Sequence, residues 1–420
     1  MAIKILLGGS PCTHWSIAKG KDRETKAEGL GWELFENYLI AKEKFQPDIF
    51  LYENNKSASQ AIKDQIANEL GVGVDPNARF TYINSALVSA QNRQRFYVTN
   101  FGDIEQPEDR GIRLRDILET GCTDRDKAHA VLGSAGRTTT REYFDKYQGT
   151  MVCEPVEPPK LVPPCDPRGR DKARTITAGY QTCSQRDLRM DIETEGFMGK
   201  QGVIEAVNVT KDGKSQTIKA QYQNTSPRNI CCYHSTYGAS GVAEPIGCAT
   251  PCEWDENDIP TKAISCADGK TYTVYEVKDG FITIKGKQYP IDLPDGYYII
   301  RKLTVTECCR LQTLPDDYVK AVSASQGYKG VGNGWTAEII IHILNHALKD
   351  VPRDEELIVL SMYDGIGTGM YCLKKMGFTN IKYYAYENDP YPITIAMDNH
   401  PEIMQRGDAF AVRNTDWRLE

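Results

Sequence analysis

Short apolar runs separated by amphipathic stretches make up both ends of the chain. Ile3–Leu7, Ile49–Tyr52 and Phe96–Val98 are brief and too continuous for strands wetted on one face, which fits strands covered on both. Between them, residues 33–45 and 57–70 carry apolar positions at helical spacing, and Phe80–Leu87 adds another strand-like segment. Residues 301–420 resume the rhythm, with helices near 304–312, 336–348 and 369–376 around strands Leu357–Met362 and Ile381–Tyr386. Such alternation predicts a doubly wound α/β fold on a mostly parallel sheet.

Residues 103–298 differ in kind. Turn signals such as Ala267-Asp268-Gly269-Lys270 and Lys278-Asp279-Gly280 punctuate short strands like Tyr272–Val277 and Phe281–Ile284. The organisation this predicts is one α/β domain assembled from residues 1–102 and 299–420, with a smaller β-rich domain, 103–298, inserted between them.

Composition removes some classes of function. Hydrophobic residues are 40% and charged residues 25% of 420, and no run approaches the roughly 20 apolar residues of a membrane span. The start, Met1 to Gly9, fits no signal peptide, so a cytoplasmic location is expected, away from membranes. Thirteen cysteines, an odd count, then read as free thiols, and any special cysteine has to be explained by chemistry. The net charge of −7 advertises no polyanionic partner, although binding depends on a local basic face rather than the sum.

Three strand-linked signals carry chemistry. Gly9-Ser10-Pro11-Cys12 follows the first strand, so Cys12 lies where open α/β sheets place catalysts; read alone, a buried structural cysteine fits as well. Phe50 to Asn54 is a strand ending in the carboxylate of Glu53. Gln91-Asn92-Arg93-Gln94-Arg95 directly precedes the strand at Phe96.

In that order and spacing, these segments resemble motifs IV, VI and VIII of the DNA cytosine-5 methyltransferases. Further matches follow. Arg301 to Gln312 with Leu314-Pro315-Asp316 is similar to motif IX, and Gly332-Asn333-Gly334-Trp335 to motif X. Leu360 to Gly369 resembles motif I, in wording close to the de novo enzymes, with Glu387 as the acid of motif II and Gly407-Asp408 as motif III. The family normally begins with motif I, so the resemblance implies a circular permutation cut between motifs III and IV.

What the resemblance implies is a Rossmann-like methyltransferase domain and a target recognition domain in the insert. Cys12 would add to C6 of cytosine, Glu53 would hydrogen-bond or protonate N3, and Arg93 and Arg95 would orient the base and Glu53. The cofactor would be S-adenosylmethionine, held by Pro11, Asn333, Trp335, Tyr363, Gly365, Ile366, Gly367, Glu387, Asn388 and Asp408. The substrate would be double-stranded DNA with the target base flipped out, and the loop Thr13–Trp32 would fill the hole. Ser16 and Gln91 are the expected DNA contacts of this domain. Three places depart from the pattern: Asn55 replaces an apolar residue, Trp32 stands where an arginine often meets phosphate, and Asn333-Gly334-Trp335 replaces the common Asn-Ala-Val of motif X.

In the insert, Arg168, Arg170, Lys172, Arg174, Arg186 and Arg189 form the best DNA-facing stretch, with a solvated loop as the plain alternative. Segments 172–178 and 214–220 are alike, which either a repeated DNA-contacting strand or similar strands of one sheet would explain. Cys231, Cys232, His234, Cys248 and Cys252 have no standard zinc spacing, so no metal is expected. The chain thus reads as a monomeric DNA cytosine-5 methyltransferase, with a cognate restriction endonuclease as a candidate partner. The alternatives are a decayed homologue that binds DNA without modifying it and a cytosine-5 tRNA methyltransferase of related fold.

Overall fold

Two sheets account for most strands of the computed structural model, which describes residues 2–11, 14–15, 22–146, 149–156 and 249–419. Residues up to 99 supply β1 (Ile3–Gly8), β2 (Ile49–Asn55), β3 (Arg79–Asn84) and β4 (Gln94–Thr99). Then come β5 (Met151–Pro155), β6 (Ala249–Trp254), β7 (Pro260–Ser265), β8 (Thr271–Lys278), β9 (Phe281–Ile284), β10 (Lys287–Pro290) and β11 (Gly296–Lys302). The last three are β12 (Leu357–Met362), β13 (Ile381–Tyr386) and β14 (Met404–Gln405). The main helices are α1 (Leu30–Phe45), α2 (Gln60–Glu69), α3 (Val305–Leu311), α4 (Ala324–Asn333), α5 (Ala337–Leu348), α6 (Thr368–Lys375) and α7 (Pro390–Asn399).

The first sheet runs β14-β13-β12-β1-β2-β4-β3. Its strands are parallel from β14 to β2, and β4 and β3 are each antiparallel to the neighbour before them. This is a doubly wound, Rossmann-like α/β fold. The chain starts in its centre, at β1, and the strand order reverses between β12 and β1. Because helices cover both faces, β1 is apolar throughout: Ile5 and Leu7 join a core with Leu311, Ile340 and Leu373, while Leu6 joins the opposite one with Phe35, Phe50 and Ile62.

The unit holding this sheet comprises Met1–Val152 and Lys302–Glu420; the other is Cys153–Arg301. The first unit thus runs about fifty residues past the expected break at 103. Ile104, Leu114, Ile117, Ala128, Val131 and Val152 are buried in its core, although little regular structure connects them. Helix α4 was also hidden in the sequence by its glycines, which its packing requires. A Cβ at Gly327 would stand 3.1 Å from Val305 and Val319, and one at Gly330 2.9 Å from Ile366.

The second unit is β-rich as expected, with order β10-β9-β8-β11-β5 and with β7 and β6 extending from β8. Val156, Ala249, Ala263 and Ile299 form a small core. Within it, Arg301 Nε on β11 meets Glu154 Oε1 on β5 at 2.7 Å, with both side chains at most 1% exposed, and Ser265 Oγ donates to Glu154 Oε2. No helix among the described residues is long and apolar enough to cross a membrane.

Candidate active site

Strand register lines up the chemistry. Gly8 pairs with Met362 on one side and Tyr52 on the other, and Met362 pairs with Tyr386. The next residues, Gly9, Tyr363, Glu53 and Glu387, therefore stand in one row across the carboxyl ends of the strands, at the switch point where such sheets bind ligands.

The loop after β1 is fixed by a buried polar cluster. Ser10 Oγ and Tyr52 Oη lie 2.7 Å apart, and Asn54 Nδ2 donates to the Ser10 carbonyl at 2.9 Å. Asn54 thus ties motif VI to the turn leading into Cys12. Pro11 is exposed, and Cys12 itself lies outside the described residues, as does Ser16. Beyond them, Glu24 accepts from Trp15 Nε1 and the Gly31 amide at 3.2 and 3.1 Å, and His14 Nδ1 stands 3.3 Å away. No sequence signal marks Glu24 as this anchor.

Glu53 is nearly buried and held at both oxygens. Arg95 Nε reaches Oε1 at 2.8 Å, and Trp335 Nε1 donates to Oε2 at 3.1 Å. Asn55 Oδ1 caps the following turn by accepting from the Ser57 amide. Trp32 packs against Phe35, ring centroids 4.9 Å apart.

Two expected contacts are placed elsewhere. Arg93 is buried and donates to the carbonyls of Val131, Gly332 and Gly334 at 2.9, 3.2 and 2.9 Å. Gln91, expected at DNA, has no exposed surface. Its amide donates to the Leu311 carbonyl and Gln312 Oε1 and accepts from the Val131 amide, so it locks motif VIII to motif IX instead.

The opposite side of the row is a glycine loop. Tyr363 has φ +61°, uncommon outside glycine, and its hydroxyl donates to the Leu34 carbonyl at 2.7 Å. Gly365 has φ +65°, and a Cβ there would meet no atom within 4 Å, so its face is open. Gly367, φ +77°, caps α6. Ile366 is buried against Gly330 and Gly334, so its side chain is core. Glu387 Oε1 accepts the amides of Asn388 and Asp389, and Oε2 that of Gly365 at 3.0 Å. Asp408 is exposed and accepts from the Phe410 amide, and Asn333 is exposed at the end of α4.

Burial pushes the Asp364 carboxyl up to about 6, against the hydrogen bond that Tyr383 Oη donates at 2.6 Å. Since this exceeds an ordinary carboxyl value of 3.8, the folded state holds the proton more tightly. Its contribution favours folding below about pH 4 and is lost as pH rises to about 6, a change of about 3 kcal/mol at 1.36 kcal/mol per unit. Asp364→Asn keeps an acceptor for Tyr383, and in urea titrations it should gain stability at pH 7 while flattening this slope.

Burial raises the thiols of Cys308 and Cys372, and that of Cys309 to about 12, so these three are structural. Arg168, Arg170, Lys172, Arg174 and Arg186, the repeated segments and most of the cysteine cluster lie outside the described residues. Among the described residues, no group of three or more histidine, cysteine or acidic side chains could hold a metal.

The orphan methyltransferase M.SPRI of Bacillus phage SPR is 24% identical over 384 residues, which cover 82% of each protein. Among solved structures, the Entamoeba histolytica methyltransferase EhMeth (11% identity, 83% of this chain and 78% of that one) has a TM-score of 0.33. A mutant of Spodoptera frugiperda DNMT2 (11% identity, 81% and 78%) gives 0.34. The C-5 cytosine-specific DNA methylase profile matches residues 1–349, more than four-fifths of the sequence, and the chain belongs to that family.

Proposed function

We propose that this cytosine methyltransferase modifies C5 of a cytosine flipped out of duplex DNA, within a sequence read by the insert, through a covalent bond from Cys12 to C6. The observation that carries this reading is the row of strand ends. The turn into Cys12, the Glu53–Arg95 pair and the glycine loop lie at the same end of neighbouring strands, which supports a shared site.

Cytosine C5 is a poor nucleophile until C6 is attacked. As the Cys12 sulfur adds to C6, the Glu53 carboxyl gives a proton to N3, so the ring becomes a neutral enamine, and it takes that proton back when the sulfur leaves. Arg95 holds the Glu53 carboxyl through a charge-assisted hydrogen bond. S-adenosylmethionine, when bound, supplies the sulfonium methyl group that C5 takes. Loss of the C5 proton and of the Cys12 sulfur then restores the aromatic ring.

The donor set fits that cofactor. Gly365 leaves room for a ligand against its backbone, and Glu387 Oε2 accepts one protein hydrogen bond and keeps a lone pair for a ribose hydroxyl. Asp408 offers an acceptor for the adenine amine. Gly365→Ala puts a methyl group into that open space without touching protein. It should cost only about 1–2 kcal/mol of backbone strain yet weaken S-adenosylmethionine at least about tenfold by calorimetry. Undiminished affinity would place the cofactor elsewhere.

The strand order supports the permuted arrangement: the strands bearing the cofactor residues come last in sequence, next to the strand that begins the chain. Expression in a bacterial host free of cytosine methylation, followed by genome-wide reading of 5-methylcytosine, tests the whole proposal. One methylated DNA sequence is expected. Unmodified DNA beside methylated tRNA would favour the RNA reading.

A further inference from the structure

Glu53 is gripped by two groups that only donate. Arg95 Nε meets Oε1 at 2.8 Å and the Trp335 indole meets Oε2 at 3.1 Å, and neither partner can accept a proton back. A third side is closed by backbone: a Cβ at Gly9 would come within 2.7 Å of the Glu53 carbonyl oxygen and 3.0 Å of Oε2. Rotation of the carboxyl group, otherwise a soft torsion, would break both hydrogen bonds.

Trp335 is in turn seated from behind. The Gly334 carbonyl just before it accepts from Arg93 Nη2 at 2.9 Å and from Gln312 Nε2 at 3.2 Å, and the Gly332 carbonyl accepts from Arg93 Nη1. From these contacts we infer that Trp335 is a positioning residue for Glu53, not a cofactor contact, and that Arg93 acts on the site through the Gly332–Gly334 turn. The inference rests on the reading of Glu53 as the group that meets N3. A carboxyl fixed before the base arrives needs no ordering in the transition state, so the gain belongs to the chemical step.

Trp335→Phe keeps an aromatic ring and removes the N–H. It should lower kcat by about 10- to 100-fold, with the KM for DNA and the Kd for S-adenosylmethionine within about threefold of the parent. In a Glu53→Gln background the same change should cost less than about threefold, because the two side chains act as one unit. Trp335→His, which retains a ring N–H, should recover part of the lost rate. Should Trp335→Phe not fold, Arg93→Lys, which cannot span both carbonyls, is expected to give the same split between kcat and Kd.

A Trp335→Phe enzyme with normal kcat and weakened cofactor binding would overturn the inference, as would equal losses with and without Glu53. If Glu53→Gln alone left kcat unchanged, the reading of Glu53 would fall first, and the role of Trp335 with it.

Discussion

Replacing Cys12 with serine is expected to lower methyl transfer by about four orders of magnitude or more, since among the described residues no other cysteine adjoins Glu53 to attack C6. Duplex DNA carrying 5-fluorocytosine at the target should trap the parent enzyme, because the step that releases the sulfur needs loss of a proton from C5 and fluorine cannot leave in its place. The adduct should survive a denaturing gel with the parent protein and be missing with Cys12→Ser. Cys308, Cys309 and Cys372 are poor substitutes, their thiols raised by burial. An adduct formed by the Cys12→Ser protein would therefore point to a cysteine outside this core and end the proposed mechanism.

The second large effect concerns stability. Glu154→Ala would take a salt-bridge partner at 2.7 Å away from the Arg301 guanidinium, which is 1% exposed. Breaking one side of such a buried pair costs about 3–5 kcal/mol, whereas replacing both sides by apolar groups of similar size is often neutral. Differential scanning calorimetry of the whole chain should thus show Glu154→Ala melting well below the parent, and Glu154→Leu combined with Arg301→Met much closer to it. A loss under about 1 kcal/mol in the single variant would mean that water or other partners satisfy the guanidinium.

How much of this was legible in the sequence depends on how local the cause is. β1, β2 and β12 could be read directly, because helices on both faces make a strand continuously apolar. The sequence puts the segment at Cys12 and Gly365 just after apolar strands and Glu53 near the carboxyl end of β2, and the register sets the ends of those strands side by side. Arg93 and Gln91 were misread. Their partners range from Val131, about 40 positions away, to the carbonyls of Gly334 and Leu311, more than 200 away, and nothing local distinguishes an arginine that clamps backbone from one that faces a base. Trp335 illustrates the same limit, since its hydrogen bond to Glu53 spans 282 positions. The extent of the first unit was hidden because residues 104–152 join its core through scattered side chains and hardly any periodic structure.

The position of β1 also sets a timetable for synthesis. One edge of this strand pairs with β2 soon after it is made, but the other is completed by β12, whose first residue is Leu357. At about 5–20 residues per second, roughly 20–70 s separate the two on the ribosome. Throughout that interval, Ile5, Leu6 and Leu7 wait beside an open row of backbone amides and carbonyls, the kind of edge that recruits strands from other chains. A central strand made so long before one of its two neighbours thus leaves the nascent protein open to mispairing until β12 emerges.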